Sequence, residues 1–240
     1  MPPNYEYIFR RAIDLAAVNT PRVLDFGCGR GEVVNYGRSQ GYEFFGADRQ
    51  HTNRPEHFQS TDAGKLQFDD DFFDVVISNQ VFEHVSDPQK WLSEISRVLK
   101  PGGVFLALFP DKSAWFEGHV GIYFVHWMPA PIARIYMNAC YRLGFGYQRE
   151  GKTADEWVAF FMHELQTDIF YHSPSDLRKW WGDAFGTRPV KLESDFMAFR
   201  LEHSGLRRLA SLAGYPITAR ALSFVCRKRA GLVWLTPQTR

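Results

Sequence analysis

Three glycines at alternate positions follow an apolar run in the stretch VLDFGCGRG. Gly27, Gly29 and Gly31 carry no Cβ atom, so the backbone of such a turn can approach a ligand closely. Two carboxylates flank the turn, because Asp25 precedes it and Glu32 follows it. A pyrophosphate favours backbone N–H groups that have no negative charge beside them. The turn therefore suits a cationic ligand better than a phosphate.

The spacing of the glycines also differs from two common phosphate-binding turns. The dinucleotide fingerprint G-x-G-x-x-G needs glycine where this chain has Glu32, and the P-loop sequence G-K-[ST] is missing. Asp48 ends the next apolar segment, where a carboxylate can accept two hydrogen bonds from a ribose diol. Dinucleotides and other adenosine ligands share that feature, so these residues leave the nucleoside open. Asp25 can alternatively serve only as a helix cap.

Apolar segments alternate with amphipathic ones around this turn, which is typical of strands that alternate with helices. Pro101, Gly102 and Gly103 end the clearest amphipathic helix abruptly. The alternation predicts βαβ units and a parallel sheet. In chain order, the predicted elements are a helix at 4–18, a strand at 22–27, a helix at 32–40, strands at 42–48 and 73–78, a helix from 88 and a strand at 103–110.

The pattern changes at residues 111–171, which hold many aromatic side chains and few strand signals. We expect helices at 131–143 and 154–170 there. After this segment, Ser173 or Ser175 can cap a helix that ends near Gly182 or Gly186. Two late strands are expected at 188–200 and 223–229, with a basic helix at 206–212 between them.

Five pieces of sequence, in order, resemble the class I S-adenosylmethionine-dependent methyltransferases. They are LDFGCGRG, GADR, DAGKLQFDDDFFDVV, EHV and RVLKPGG, spread over roughly residues 23–110. The resemblance is nearest to the group with small-molecule, lipid and quinone substrates. It implies one methyltransferase domain over residues 1–240, with an α/β fold and helices on both faces of a Rossmann-like seven-stranded sheet. The last strand is antiparallel, and residues 111–171 form a helical aromatic lid after the fifth strand that covers the substrate.

The resemblance also implies the cofactor, S-adenosylmethionine, and its contacts. Its sulfonium cation agrees with the acidic surroundings of the turn. By this resemblance, Asp25, Gly27, Cys28, Gly29 and Gly31 surround the methionine portion, Asp48 takes the ribose hydroxyls, Arg49 flanks the adenine, Asp62 and Ala63 contact the adenine amino group, and Asn79 and Gln80 line the methionine side. Cys28 is interpreted as a small buried neighbour of the cofactor rather than a nucleophile.

Candidate catalytic residues lie in the aromatic segment. A hydroxyl acceptor benefits from a base that removes its proton, and histidine suits that role near neutral pH. His119 is the first choice, His126 the second, and Glu117 lies beside them. Either histidine can instead be structural. Glu83 and His84 are interpreted as local structural partners, and no spacing of histidines and carboxylates predicts a metal site.

The leading predicted reaction is O-methylation of a small-molecule hydroxyl on a sugar, glycolipid or secondary metabolite. Carbon methylation of a quinone-like or polyketide ring comes second, and nitrogen acceptors come third. Two readings of other classes remain open at this point. The chain can be a non-catalytic S-adenosylmethionine-binding partner or regulatory subunit, or a nucleotide-dependent oxidoreductase on a similar sheet, although Glu32 and RVLKPGG argue against the oxidoreductase.

Composition narrows the partners of this 240-residue chain. Its net charge of +1 and the lack of a basic groove with interleaved aromatics argue against a nucleic-acid acceptor. No uninterrupted apolar run approaches the ~18 residues of a spanning helix. The basic C-terminal region is interpreted first as a solvated surface, and contact with anionic lipid or a phosphorylated acceptor is the alternative. The distant spacing of Cys28, Cys140 and Cys226 favours a reducing cytoplasm. The residues predict no oligomeric state.

Overall fold

The computed structural model describes residues 3–16, 18–49, 56–61, 64–206 and 210–239. Its helices are α1 (Pro3–Leu15), α2 (Glu32–Ser39), α3 (Pro88–Val98), α4 (Ala130–Arg142), α5 (Ala154–Thr167), α6 (Pro174–Phe185), α7 (Glu193–His203) and α8 (Pro216–Arg229). Its strands are β1 (Arg22–Phe26), β2 (Glu43–Asp48), β3 (Phe58–Ser60), β4 (Phe73–Asn79), β5 (Leu99–Phe109), β6 (Phe116–Glu117), β7 (Ile122–Tyr123), β8 (Val190–Lys191) and β9 (Leu232–Pro237). Turns of 3-10 helix lie at Phe82–His84, Val125–Trp127 and Ser211–Gly214.

Seven strands form one sheet in the order β3-β2-β1-β4-β5-β9-β8. The five strands from β3 to β5 pair in parallel, whereas β9 is antiparallel to both of its neighbours, β5 and β8. The register places Asp25 of β1 opposite Gly46 of β2 and Ile77 of β4. The predicted Rossmann-like sheet with an antiparallel last strand is confirmed.

Helices cover both faces of this sheet because neighbouring residues of its central strands point to opposite sides. Leu24 and Val76 belong to a buried core that includes side chains of α3 and α6. Val23 and Val75 belong to a second core, which includes side chains of α1 and α7. The central strands are therefore apolar on both faces, as expected for a parallel sheet between helical layers.

Helix α6 begins and ends where its sequence predicts. The Ser173 hydroxyl accepts a hydrogen bond from the Asp176 amide at 3.2 Å, which satisfies one of the first-turn donors. Gly186 follows the helix with a φ of 67°, the left-handed conformation that ends many helices.

Residues 111–171, called the insert below, have a buried core of their own. The core holds Val120 after β6, Met137 of α4, and Trp157 and Phe161 of α5. The two helices expected in the insert are confirmed, whereas the short β6–β7 hairpin was not predicted. That the insert covers a substrate remains a prediction.

The predicted late strands at 188–200 and 223–229 are wrong. Helices α7 and α8 occupy most of these ranges, and the strands are β8 and β9 instead. Glu193 and Asp195 in the first turn of α7 favour a helix through its dipole. Packing adds to this preference, because the Phe196 ring is buried 5.0 Å from the ring of Tyr7 in α1. Much of the basic helix expected at 206–212 falls outside the described residues.

Within the described ranges, no helix combines the length and the apolar character needed to cross a membrane.

Candidate functional site

The glycine turn joins β1 to α2 and is held against the end of β2. The amides of Gly27 and Cys28 both donate to the Ala47 carbonyl, at 2.7 and 3.3 Å, and the Gly31 amide donates to the Cys28 carbonyl at 2.8 Å. Gly27 has a φ of 79°, and a Cβ atom added there would lie 2.2 Å from Cγ2 of Val81. The turn can therefore take this shape only with glycine at its first position.

A cleft of about 780 Å³ opens at the carboxyl ends of β1, β2 and β4. The strand order reverses between β1 and β4, and such a switch point is where open α/β sheets bind their ligands. The lining residues are Tyr5, Phe26, Gly27, Cys28, Gly29, Arg30, Glu32, Ala47, Asp48, Arg49, Thr61, Asn79, Gln80, Val81, His84, Val85, Ser86 and Trp91.

Most of the predicted cofactor contacts meet in this cleft. Gly27, Cys28, Gly29, Asp48, Arg49, Asn79 and Gln80 line it. Asp25 is buried in β1 just before the turn, and Gly31 is buried at the start of α2, so neither forms part of the lining. Asp62 and Ala63 lie outside the described residues.

Sequence reasoning missed several lining residues. Tyr5 reaches the cleft from α1, and Trp91 reaches it from α3. Val85 and Ser86 follow the 3-10 turn after β4. Tyr5 shares the apolar face of α1 with Ile8 and Ala12, so its sequence pattern did not distinguish it from a core residue. The other positions depend on where helices pack against the sheet edge.

The end of the cleft near the glycine turn is acidic. Burial, together with a smaller contribution from the negative charge of Asp48, raises the pKa of the Asp25 carboxyl to about 7. An Asp48 oxygen accepts a hydrogen bond from the Gly29 amide at 3.0 Å. Burial also raises the pKa of the Tyr5 hydroxyl, with smaller contributions from Asp25 and Glu32. A cationic group bound here would restore the charged form of Asp25, so the site fits a sulfonium and ammonium ligand.

A second polar group lies where the insert meets the loop after β4, and we call Glu83, His84, Glu117 and His119 the histidine cluster. Glu117 is fully buried, and its carboxylate accepts hydrogen bonds from the Tyr171 hydroxyl at 2.6 Å and the Val120 amide at 2.6 Å. His119 Nδ1 lies 2.8 Å from the same carboxylate. Burial alone would raise the pKa of Glu117, but the hydrogen bond and positive charge of His119 outweigh it and lower the pKa.

His119 reaches the cleft only through His84. The two Nε2 atoms lie 3.2 Å apart, and His84 is the residue of the pair that lines the cleft. Nδ1 of His84 lies 2.8 Å from the Asp168 carbonyl oxygen. Burial lowers the pKa of His84. For His119, burial acts in the same direction, but the bond to Glu117 outweighs it and raises the pKa.

Glu83 is the most unusual member of the histidine cluster. Its side chain is 1% exposed, and neither carboxylate oxygen has a hydrogen-bond partner among the described residues. Burial raises the pKa of this carboxyl to about 8. The backbone carbonyl of Glu83 accepts a hydrogen bond from the Phe170 amide at 2.6 Å, which ties the insert to the loop after β4.

The remaining predicted catalytic residue, His126, lies away from the cleft lining. Its ring centroid is 4.8 Å from that of Tyr171, the residue that donates to Glu117. Burial lowers the pKa of His126. The structure therefore joins Glu117 and His119 in one cluster, and it places His126 behind that cluster.

The fold and the cleft together define a Rossmann-like protein with an acidic cleft at the carboxyl edge of its sheet. Residues 4–192 match the family described as a methyltransferase domain. The chain therefore belongs to this family of methyltransferase domains. S-adenosylmethionine is its cofactor, as the sequence resemblance implied.

Known proteins resemble parts of the chain. The ubiquinone biosynthesis O-methyltransferase of Cereibacter sphaeroides is 32% identical over 123 residues, which is 45% of this chain and 50% of that protein. The chain thus spans about half the length of the curated relatives it matches. Two solved structures share the fold. PKMT2 of Rickettsia typhi, in complex with S-adenosylhomocysteine, has a TM-score of 0.55 at 15% identity. The match covers 100% of this chain and 53% of the PKMT2 chain. A chain in the complex of the Haloferax volcanii Trm112 methyltransferase activator has a TM-score of 0.52 at 19% identity and covers 99% of this chain and 90% of its own.

Replacement of Gly27 tests the steric requirement of the turn. Gly27→Ala should lower the free energy of unfolding by about 2–5 kcal/mol, because it combines a left-handed φ with a clash against Val81. Gly29→Ala is the matched control, since its φ is 51° but an added Cβ meets nothing within 4 Å. It should cost about 1–2 kcal/mol. Urea unfolding of both variants measures the difference, and equal losses would contradict the clash. Val81→Ala should partly restore Gly27→Ala.

We expect the buried Asp25 carboxyl to lower the stability of the free protein and to strengthen binding of the cofactor. Its folded pKa is raised to about 7, so burial of the charge removes stability as the pH rises from the ordinary carboxyl range through neutrality. Asp25→Asn should therefore raise the free energy of unfolding at pH 8 by at most about 4 kcal/mol, and the melting temperature with it. The gain should vanish at low pH, where the carboxyl is protonated in both the folded and the unfolded chain. The same change should weaken binding of S-adenosylmethionine roughly 10- to 100-fold, because the buried negative charge that would attract the cationic ligand is lost.

Thermal unfolding between pH 4 and 8 and calorimetric titration with the cofactor check both halves of this prediction. The exposed Asp69→Asn should alter neither quantity. A variant at position 25 that is less stable than the wild type at pH 8 would show that the ionised carboxylate stabilises the fold instead.

Proposed function

We propose that this methyltransferase transfers the cofactor methyl group to a hydroxyl oxygen of a small molecule, of the sugar, glycolipid or secondary-metabolite class. The observation that carries the proposal is the link from His84, at the cleft wall, through His119 to the buried carboxylate of Glu117. Oxygen acceptors must lose a proton as the methyl group arrives, and imidazole–carboxylate groups assist such losses. The Cereibacter relative is named an O-methyltransferase, and its name adds hydroxyls of quinone-like rings to the candidate acceptors.

In the proposed reaction, the acceptor oxygen attacks the methyl carbon in line with the carbon–sulfur bond. The new bond joins oxygen to carbon, the carbon–sulfur bond breaks with its electron pair left on sulfur, and the hydroxyl proton leaves toward the histidine cluster. The cofactor supplies an activated methyl group on a sulfonium centre. Asp48 would accept hydrogen bonds from the ribose hydroxyls, the buried charge of Asp25 would attract the cationic ligand from behind the cleft wall, and the Gly27–Gly31 backbone would fix the position of the ligand. Alignment and exclusion of water supply most of the rate.

The insert is proposed to cover the acceptor. It contacts the loop after β4 beside the cleft through the Phe170 amide, the Asp168 carbonyl and His119. A closed site above the cofactor would keep water from the transferable methyl group. A cytoplasmic location, expected from the spacing of the cysteines, is part of the same proposal.

His119→Ala tests the proposed role of the histidine cluster in transfer. We expect kcat to fall by about 100-fold or more, while binding of S-adenosylhomocysteine stays unchanged, because His119 does not line the cleft. The assay incubates the protein with labelled S-adenosylmethionine and a panel of sugars, glycolipids and phenols, and mass spectrometry locates the added methyl group. The exposed His163→Ala on α5 is the control.

Three results would contradict the proposal. Full turnover by His119→Ala would remove the cluster from the reaction. A methyl group found on carbon would favour the quinone-ring alternative. Cofactor binding without transfer to any acceptor would favour a non-catalytic binding partner.

A further inference from the structure

When both of its rings are neutral, the histidine cluster places two nitrogen lone pairs against each other, with no proton between them. A carbonyl oxygen only accepts hydrogen bonds, so Nδ1 of His84 carries the proton that is donated to Asp168. The Glu117 carboxylate likewise accepts from Nδ1 of His119. In their neutral forms, both imidazoles therefore aim an Nε2 lone pair at the other ring, across only 3.2 Å.

A buried carboxylate adds to this electron-rich spot. One ligand atom each of Glu83, His84 and His119 lies within 4.8 Å of the others. Both carboxylate oxygens of Glu83 lack hydrogen-bond partners among the described residues, and the side chain is 1% exposed. Leaving such a group unsatisfied is costly, so the position calls for a positive charge between the three side chains.

We propose that Glu83, His84 and His119 bind a divalent transition-metal ion of the zinc class. Two imidazole nitrogens and one carboxylate are a common protein ligand set for such ions, and magnesium would prefer oxygen ligands only. The gap of 3.2 Å between the two nitrogens suits two ligands of one tetrahedral ion at about 2.0–2.1 Å each. Glu117 and the Asp168 carbonyl hold the outer nitrogens of the rings, which is the usual support of metal-binding histidines.

The place of this site beside the cleft suggests what the ion does. Three protein ligands leave a coordination position for an oxygen atom. An acceptor hydroxyl bound there would release its proton to water more easily, because the ion would stabilise the oxyanion. With the ion bound, His84 and His119 would act as its ligands and not as the proton acceptor. This role rests on the proposed function, whereas the metal site itself depends only on the geometry of the cluster.

The test measures metal binding without any methyl acceptor. The full chain is treated with a chelator, dialysed against Zn²⁺ and analysed for metal content, and Co²⁺ titration follows the visible absorption of the bound ion. We expect one ion per chain and a higher melting temperature with Zn²⁺. Glu83→Gln should abolish stoichiometric binding, and Glu117→Gln should weaken it by about 10- to 100-fold through the orientation of His119.

His163→Ala, which removes an exposed imidazole on α5, should bind Zn²⁺ as the wild type does. The metal site would be overturned by less than one ion per chain, or by equal Zn²⁺ binding in the wild type and Glu83→Gln. In that case a proton shared by the two Nε2 atoms would account for their distance of 3.2 Å. Such a result leaves the proposed transfer standing if His119→Ala is still slow. Conversely, normal metal binding in a protein that methylates no hydroxyl would overturn the proposed function alone.

A different observation concerns an exposed surface formed by the β6–β7 region and α8. Trp115, Phe124, Trp127 and Phe224 are each more than a third exposed, and the Trp115 and Phe224 rings lie 5.6 Å apart. Ile217 of α8 is 81% exposed. Contiguous exposed aromatic and aliphatic side chains of this kind mark interaction sites.

The charge of this surface identifies its partner. Helix α8 carries Arg220, Arg227, Lys228 and Arg229 and no acidic residue. Lys228 lies over the Trp115 ring at 5.6 Å, and Arg229 donates to the Tyr123 hydroxyl at 2.7 Å, so the cations border the aromatic rings directly. Aromatic rings with basic neighbours are typical of membrane interfaces that contain anionic lipid. We infer that this surface docks on an anionic phospholipid bilayer.

Sedimentation with vesicles tests the docking surface. The full chain should bind vesicles of phosphatidylcholine mixed with phosphatidylglycerol, and it should bind pure phosphatidylcholine far less. Replacing both Lys228 and Arg229 with Gln should weaken binding by roughly fivefold per charge, and Phe224→Ser should weaken it as well. Tyr36→Ser, an exposed aromatic residue of α2, is the control. Equal binding to both vesicles, no binding, or dimerisation through Phe224 without vesicle binding would each overturn the inference.

Discussion

The reversal of strand order between β1 and β4 is the constraint on which the rest of the site depends. From β1 the chain continues outward to β2 and β3, and it then returns to place β4 on the opposite side of β1. The loops that leave β1 and β4 therefore diverge and open a cleft at the carboxyl edge. The glycine turn and the 3-10 turn at Phe82–His84 are those two loops. One lines the acidic end of the cleft, and the other carries Glu83 and His84 of the histidine cluster.

The two ends of the cleft share one electrostatic property. Asp25 and Glu83 are both buried carboxyls, and their pKa values are raised to about 7 and about 8. Burial is the first cause in each case, and the positive charge of His119 lowers the pKa of Glu83 without reversing the effect of burial. Such groups reduce the stability of the folded chain at neutral pH. A bound positive charge compensates that loss, so the ligands stabilise the protein as they fill the site.

The central part of the fold was readable from the sequence because local patterns determine it. Alternating apolar segments and the cap at Ser173 each act over a few residues, and the structure reproduces them. The stop predicted at Pro101–Gly103 is displaced, because α3 ends at Val98 and those three residues belong to β5. The late elements were not readable in this way. Phe196 and Cys226 lie in segments with enough apolar residues to resemble strands. Packing of α7 and α8 against the second core, added to the acidic first turn of α7, favours helices there.

The candidate site divides along the same line. Asp48 and the glycines follow strands whose ends meet by sheet geometry, so their meeting in the cleft could be predicted. The histidine cluster could not, because it joins side chains 35 positions apart through the contacts of the insert. Glu83 and His84 looked like local structural partners when considered with their sequence neighbours alone. The chemistry of Glu83 and His84 becomes visible only in the folded chain, where His119 and Asp168 of the insert lie beside them. There the Nδ1 atoms of His84 and His119 donate to Asp168 and Glu117, so both Nε2 atoms face each other. In this protein, short-range order creates the cofactor half of the site, and long-range packing creates the half that meets the acceptor.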